Sequence, residues 1–136
     1  MTDSKVKRGR ILIVDDEEIL TKTFSMLLER SGYEVYVAKN GQDALAMTAE
    51  ERFDLVICDL RMPGLNGVET LKAIRSGGGV NSTNEMPVIF ITGFADEKME
   101  QEANDLKPAG YLYKPFDNVN LLSLVKETLP DGRATR

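Results

Sequence analysis

The run Ile11–Val14 (ILIV), ending in the acid pair Asp15-Asp16, decides the fold. It is apolar at every position and rich in β-branched residues. A strand with one wet face alternates apolar and polar residues, whereas a strand covered on both faces does not. Leu55–Cys58 (LVIC) and Val88–Ile91 (VIFI) read the same way. Continuous apolar strands of this kind belong to a parallel sheet covered by helices. Tyr33–Ala38 (YEVYVA) and Tyr111–Tyr113 (YLY) are weaker strands, of the kind found at sheet edges.

The stretches between these strands have helical periodicity. Leu20, Phe24, Leu27 and Leu28 recur at three-to-four spacing, and Gly32 ends that helix. Asn40 caps a second helix with Ala44, Leu45 and Thr48 inward. A third runs from about Gly67 to Arg75, with Val68, Leu71 and Ile74 inward, and a fourth spans about Ala95–Leu106 with Ala95, Met99, Ala103 and Leu106 on one face. Asp117 caps a fifth, whose inward residues are Leu121, Leu122, Val125 and Leu129. Such stripes are core packing rather than cofactor boxes. The alternation predicts an α/β fold: a parallel sheet with right-handed crossovers, in one domain over residues 10–129. Residues 1–9 are expected to be a flexible N-terminal segment, and 130–136 a C-terminal tail. Gly77 to Glu85 reads as a longer surface connection.

The chain has 136 residues, 42% hydrophobic and 29% charged, which suits one globular domain. Its net charge of −5 argues against direct nucleic-acid binding by the domain. The one cysteine, Cys58, lies in an apolar run and reads as a small core residue; it can form no intramolecular disulfide. There is no histidine, which excludes Ser-His-Asp and Cys-His catalysis and histidine metal ligands within the chain. No apolar run approaches the roughly 18–20 residues that span a membrane, and the N-terminus lacks a signal-peptide core. A cytoplasmic location without membrane insertion is therefore expected.

Asp15 and Asp16 follow the first strand, and Asp59 follows the third. In a doubly wound sheet these strands can be neighbours where the strand order reverses, and ligands bind at the carboxyl edge there. Each aspartate alone could merely cap a helix or turn. Three acids brought together repel one another unless a cation or protons join them, and Mg²⁺ suits carboxylates supplemented by water. Thr92 and Lys114 fall at the ends of the fourth and fifth strands. A lysine beside carboxylates can bind phosphate oxygens, and a threonine can donate to the same group. Asp59, alone on its strand, is the best candidate nucleophile for an aspartyl-phosphate, with Asp15 and Asp16 as a metal-binding pair.

Four motifs, ILIVDDE at 11–17, LVICDLRMPGLNG at 55–67, VIFITG at 88–93 and YLYKPF at 111–116, stand in the order and spacing of a known family. The chain resembles the receiver domains of bacterial two-component response regulators from about Arg10 to Leu129. The resemblance implies a flavodoxin-like sheet of five strands in order 2-1-3-4-5, with helices on both faces. It implies that Asp59 accepts a phosphoryl group from a histidine kinase or histidine phosphotransfer protein. Asp16 would bind Mg²⁺ directly, Asp15 mainly through water, and the backbone carbonyl of Arg61 would be a further ligand beside Asp59. Thr92 and Lys114 would contact phosphoryl oxygens, and the Lys114–Pro115 bond would be cis. Thr92 and Tyr111 would form the switch, biasing a surface made of the fourth helix, fifth strand and fifth helix toward a downstream protein.

Three details depart from the family's commonest pattern. Gly93 replaces the usual alanine or serine after the threonine, which would loosen the loop there. The 77–85 connection is long. Arg61 and Phe94 are bulky residues at positions that shape water access to the phosphoryl group. Two other readings compete: a silent interaction module, disfavoured by the intact acids and lysine, and a Mg²⁺-dependent phosphatase, disfavoured by Arg61 where a second aspartate would stand. The chain is thus expected to be a switch with self-directed phosphotransfer and dephosphorylation, not a turnover enzyme. Ile19 breaks the inward stripe of its helix and fits a kinase-docking patch. Glu97, Glu100 and Glu102, with Asp96, make an acidic helix face open to a basic partner or to solvent. The sequence leaves open the cognate kinase, the output, phosphorylation-dependent dimerisation, and whether the receiver stands alone or is part of a longer regulator.

Overall fold

The computed structural model describes residues 9–81, 86–93 and 97–129. In chain order the elements are β1 (Arg10–Val14), α1 (Glu18–Arg30), β2 (Glu34–Ala38), α2 (Gly41–Glu50), β3 (Leu55–Asp59), α3 (Gly67–Ser76), β4 (Val88–Thr92), α4 (Glu97–Asp105), β5 (Gly110–Tyr113) and α5 (Asn118–Thr128). The strands form one parallel sheet in the order β2-β1-β3-β4-β5. The apolar runs are its three inner strands, and the two weaker candidates are its edges, as their composition predicts.

Side chains alternate across the sheet and so feed two cores. Ile11, Ile13, Leu55, Ile57, Ile89 and Ile91 face Phe24 and Leu28 of α1 and Leu121 and Val125 of α5. Leu12, Val14, Val56, Cys58, Val88 and Phe90 face Ala44 of α2, Val68, Leu71 and Ile74 of α3, and Ala103 of α4. Each buried Leu or Ile side chain contributes roughly 1.5–3 kcal/mol relative to exposure, so both layers are firmly seated.

Local signals set the helix ends. Gly32 has φ 99°, a conformation that costs glycine nothing, and it stops α1. Tyr33, expected to open the second strand, instead bonds back to Leu28 O at 3.1 Å and finishes the helix turn. Asn40 and Asp117 accept from Asp43 N and Asn120 N, capping α2 and α5. Asn66 and Glu69 form a reciprocal capping box at α3. Helix α4 ends at Asp105, a residue short of the expected Leu106, because Lys107 takes φ 55° ahead of Pro108. Ala95 and Asp96, expected on this helix, lie outside the described residues.

Gly9, expected in the N-terminal segment, is buried, and its carbonyl accepts from Glu34 N at 2.8 Å. The rest of that segment, and residues 130–136, lie outside the described residues. Of the 77–85 connection, residues 82–85 lie outside the described residues, and Asn81 anchors the described part. Its side chain accepts from Phe53 N at 3.1 Å and donates to Thr48 O and Glu51 O at 2.8 and 2.6 Å, sealing the C-terminal end of α2. Gly79 presses on α2 there: a Cβ would come within 2.8 Å of Ala49 Cα.

Candidate functional site

The carboxyl edge of the sheet gathers the chemistry. Val14 pairs with Cys58, Asp59 with Ile91 and Thr92 with Tyr113, so the residues at these strand ends lie side by side. Backbone bonds continue the ladder beyond the strands: Asp15 N to Ala38 O at 3.1 Å, Leu60 N to Ile91 O at 2.9 Å and Lys114 N to Thr92 O at 2.8 Å. Behind them α3 is pressed close, since a Cβ at Gly67 would lie 2.5 Å from Asp59 O.

Lys114 binds three carboxylates. Its Nζ is 2.6 Å from Glu17 Oε1, 3.3 Å from Asp59 Oδ2 and 3.6 Å from Asp15 Oδ2. Asp59 Oδ1 also accepts from Arg61 N at 3.2 Å, and Asp15 Oδ1 from Glu17 N at 2.9 Å. Two buried atoms are left over: Asp15 Oδ2 and Thr92 Oγ1 have no hydrogen-bond partner among the described residues. A buried polar atom without a partner costs about 1–3 kcal/mol, so this edge is built to receive something.

The electrostatics agree. Burial, reinforced by the charge of Asp59, pushes the Asp15 carboxyl up to about 6. Burial also raises Asp59, against the lowering influence of Lys114. Burial works against the charge of Lys114, but its bond to Glu17 and the charges of Asp59 and Asp15 prevail and raise it. These acids lack sufficient positive charge, which a divalent cation would supply.

Ligand atoms of Asp15, Glu17 and Asp59 lie within 4.8 Å of one another. Glu17 was not singled out in the sequence, where it reads as one more acid in a run. Asp16 is exposed and stands outside this group, lining an open cleft with Lys39, Asn40 and Pro63. Arg61 and Met99 border a second cleft on the other side of the edge. The Lys114–Pro115 peptide is cis. Tyr111 is half-buried; its ring stacks on Tyr113 and tilts over Phe90, and its hydroxyl donates to Asn104 Oδ1 of α4 at 2.7 Å. Phe94 lies outside the described residues. Cys58 is fully buried, and burial pushes its thiol up, so it packs rather than reacts.

A family model described as response regulator receiver domain matches residues 11–126. The chain belongs to this family. Receiver domains work in two-component systems as phosphorylation switches. The chain is 36% identical over 121 residues to the transcriptional regulatory protein CpxR of Escherichia coli, covering 89% of this chain and 49% of that protein. It is 34% identical over 122 residues to the transcriptional regulatory protein CrdR of Helicobacter pylori, covering 90% and 55%. The chain spans between a quarter and about half of the length of the curated relatives it matches. Among solved structures, a CheY-like receiver domain protein from Methanospirillum hungatei aligns with TM-score 0.82 and 30% identity, over 94% of this chain and 97% of that one. The chemotaxis response regulator CheY4 of Vibrio cholerae aligns with TM-score 0.78 and 33% identity, over 89% and 98%. Among the described residues no helix is long and apolar enough to cross a membrane.

Proposed function

We propose that this receiver accepts a phosphoryl group on Asp59 and reports it through the surface formed by α4, β5 and α5. The observation that carries the reading is Asp59 at a strand end, 3.3 Å from Lys114, beside the buried Thr92 hydroxyl, which has no hydrogen-bond partner among the described residues. A carboxylate oxygen of Asp59 attacks the phosphorus of a phosphohistidine donor. A P–O bond forms, the P–N bond breaks, and the imidazole leaves with its electron pair. The histidine must come from a kinase or phosphotransfer protein, since the chain has none. Lys114 neutralises charge on the transferred oxygens, and the Thr92 hydroxyl supplies a hydrogen bond to one of them. Asp16, Asp59 and the Arg61 carbonyl would hold Mg²⁺ directly and Asp15 mainly through water; the ion shields phosphoryl charge when bound. Return to the resting state is hydrolysis of the acyl phosphate by water, so the domain is a timed switch and not a turnover enzyme. The site works in the cytoplasm, where such donors act, and the downstream partner is a protein.

Tyr111 links the site to the output surface. Movement of Thr92 toward the phosphoryl group opens space beside Phe90, and the Tyr111 ring turns into it, giving up Asn104. Incubation with acetyl phosphate tests the acceptor. Intact mass should rise by one phosphoryl group only with Mg²⁺ and not in Asp59→Asn. An unchanged mass in the folded wild-type protein with Mg²⁺ would contradict the reading.

A further inference from the structure

Among the described residues, the shortest contact of Lys114 is not with the acceptor. It is with Glu17, at 2.6 Å, against 3.3 Å to Asp59. Glu17 is mostly exposed, yet its carboxylate reaches back over the site, and its ligand oxygen lies within 4.8 Å of those of Asp15 and Asp59. Gly93 lies beside the lysine stem, where a Cβ would make ordinary van der Waals contact, 3.4 Å from Lys114 Cδ and 3.5 Å from its Cβ. Resting and phosphorylated states therefore make opposed demands on one ammonium group. A phosphoryl group on Asp59 draws Lys114 inward and repels the Glu17 carboxylate at this short range.

We infer that Glu17 is a positioning residue that holds Lys114 back in the resting site and opposes the phosphoryl group, so that it sets how readily the switch turns on. This rests on the acceptor role of Asp59. Two consequences of opposite sign follow from replacing the charge. Without it, Lys114 moves fully onto Asp59 and Asp15, so Mg²⁺ alone meets an uncompensated cation and binds more weakly. The phosphoryl group meets a free lysine and one repulsive charge fewer, so it binds more tightly. A structural defect would weaken both.

The test uses the whole chain with beryllofluoride, which stands in for a phosphoryl group on a carboxylate. Affinities for Mg²⁺ alone, and for beryllofluoride at saturating Mg²⁺, are measured in wild type, Glu17→Gln and Glu17→Asp. In Glu17→Gln, Mg²⁺ should bind about threefold to tenfold more weakly and beryllofluoride tighter by a similar factor. Glu17→Asp should return both values toward wild type. Weakening of both in Glu17→Gln, or no change in either, would overturn the inference. Failure of wild type to take up beryllofluoride at all, with Mg²⁺ bound, would instead count against Asp59 as acceptor.

Discussion

Asp15 shows how single residues encode the site's need for a cation. Its carboxyl keeps a proton to about pH 6 in the fold, against 3.8 when unperturbed, because burial opposes its charge. The folded state thus binds more protons than the unfolded one between these values, and stability of the metal-free protein falls as pH rises from about 4 to 6. Mg²⁺ must displace that proton, so its affinity should fall as pH drops below about 6; a flat titration of Kd between pH 5 and 8 would contradict this. Asp15→Asn should remove the strain. It should stabilise the metal-free protein by on the order of 1–2 kcal/mol, read as a higher melting temperature, while weakening Mg²⁺ by about tenfold or more. Sequence reading located Asp15, Asp59, Thr92 and Lys114, because a residue at a strand end has its position fixed by the strand. It did not single out Glu17, whose side chain lies in a loop and could point anywhere. Asp16, next to Asp15, is exposed, and its charge still bears on Asp59.

At the scale of elements, the sequence makes the strands and most helices legible through apolar runs, periodicity and caps. Long-range tethers were not legible, because an asparagine in a Gly-rich loop looks like any turn residue. Asn81 is such a tether: it joins the loop after α3 to the end of α2 and to the segment before β3 through three hydrogen bonds. Asn81→Ala leaves an amide and two carbonyls without these bonds, and should cost about 2–4 kcal/mol in denaturant unfolding. Asp59 lies at the opposite end of β3, so phosphorylation of the folded variant should proceed at the wild-type rate. Besides the core packing of Ala103, two hydrogen bonds tether the C-terminal end of helix α4 among the described residues: Arg75 Nη1 donates to Leu106 O at 2.8 Å, just past the helix, and Tyr111 donates to Asn104. Asn104→Ala releases Tyr111 without touching the acid site. It should tighten beryllofluoride binding by about twofold to fivefold if Tyr111 turning is coupled to the phosphoryl group, and leave it unchanged if the two are independent.

For the whole molecule, the reversal of strand order between β1 and β3 is what makes the parts a device. It brings the ends of β1, β3, β4 and β5 to one edge, with α1 and α5 behind one core and α2, α3 and α4 behind the other. The inner strands are buried on both sides, while Tyr111, the residue we propose as reporter, sits half-buried on an edge strand against Phe90. On the proposed reading, phosphoryl charge arriving at this buried centre is read out at the sheet edge. The central claim is that the group lands on Asp59 itself. Its most direct test is to phosphorylate the protein, reduce it at once with borohydride, and map the peptides by mass. An acyl phosphate on Asp59 should be reduced to homoserine at that position alone; unmodified Asp59 with reduction at another carboxylate would contradict the account.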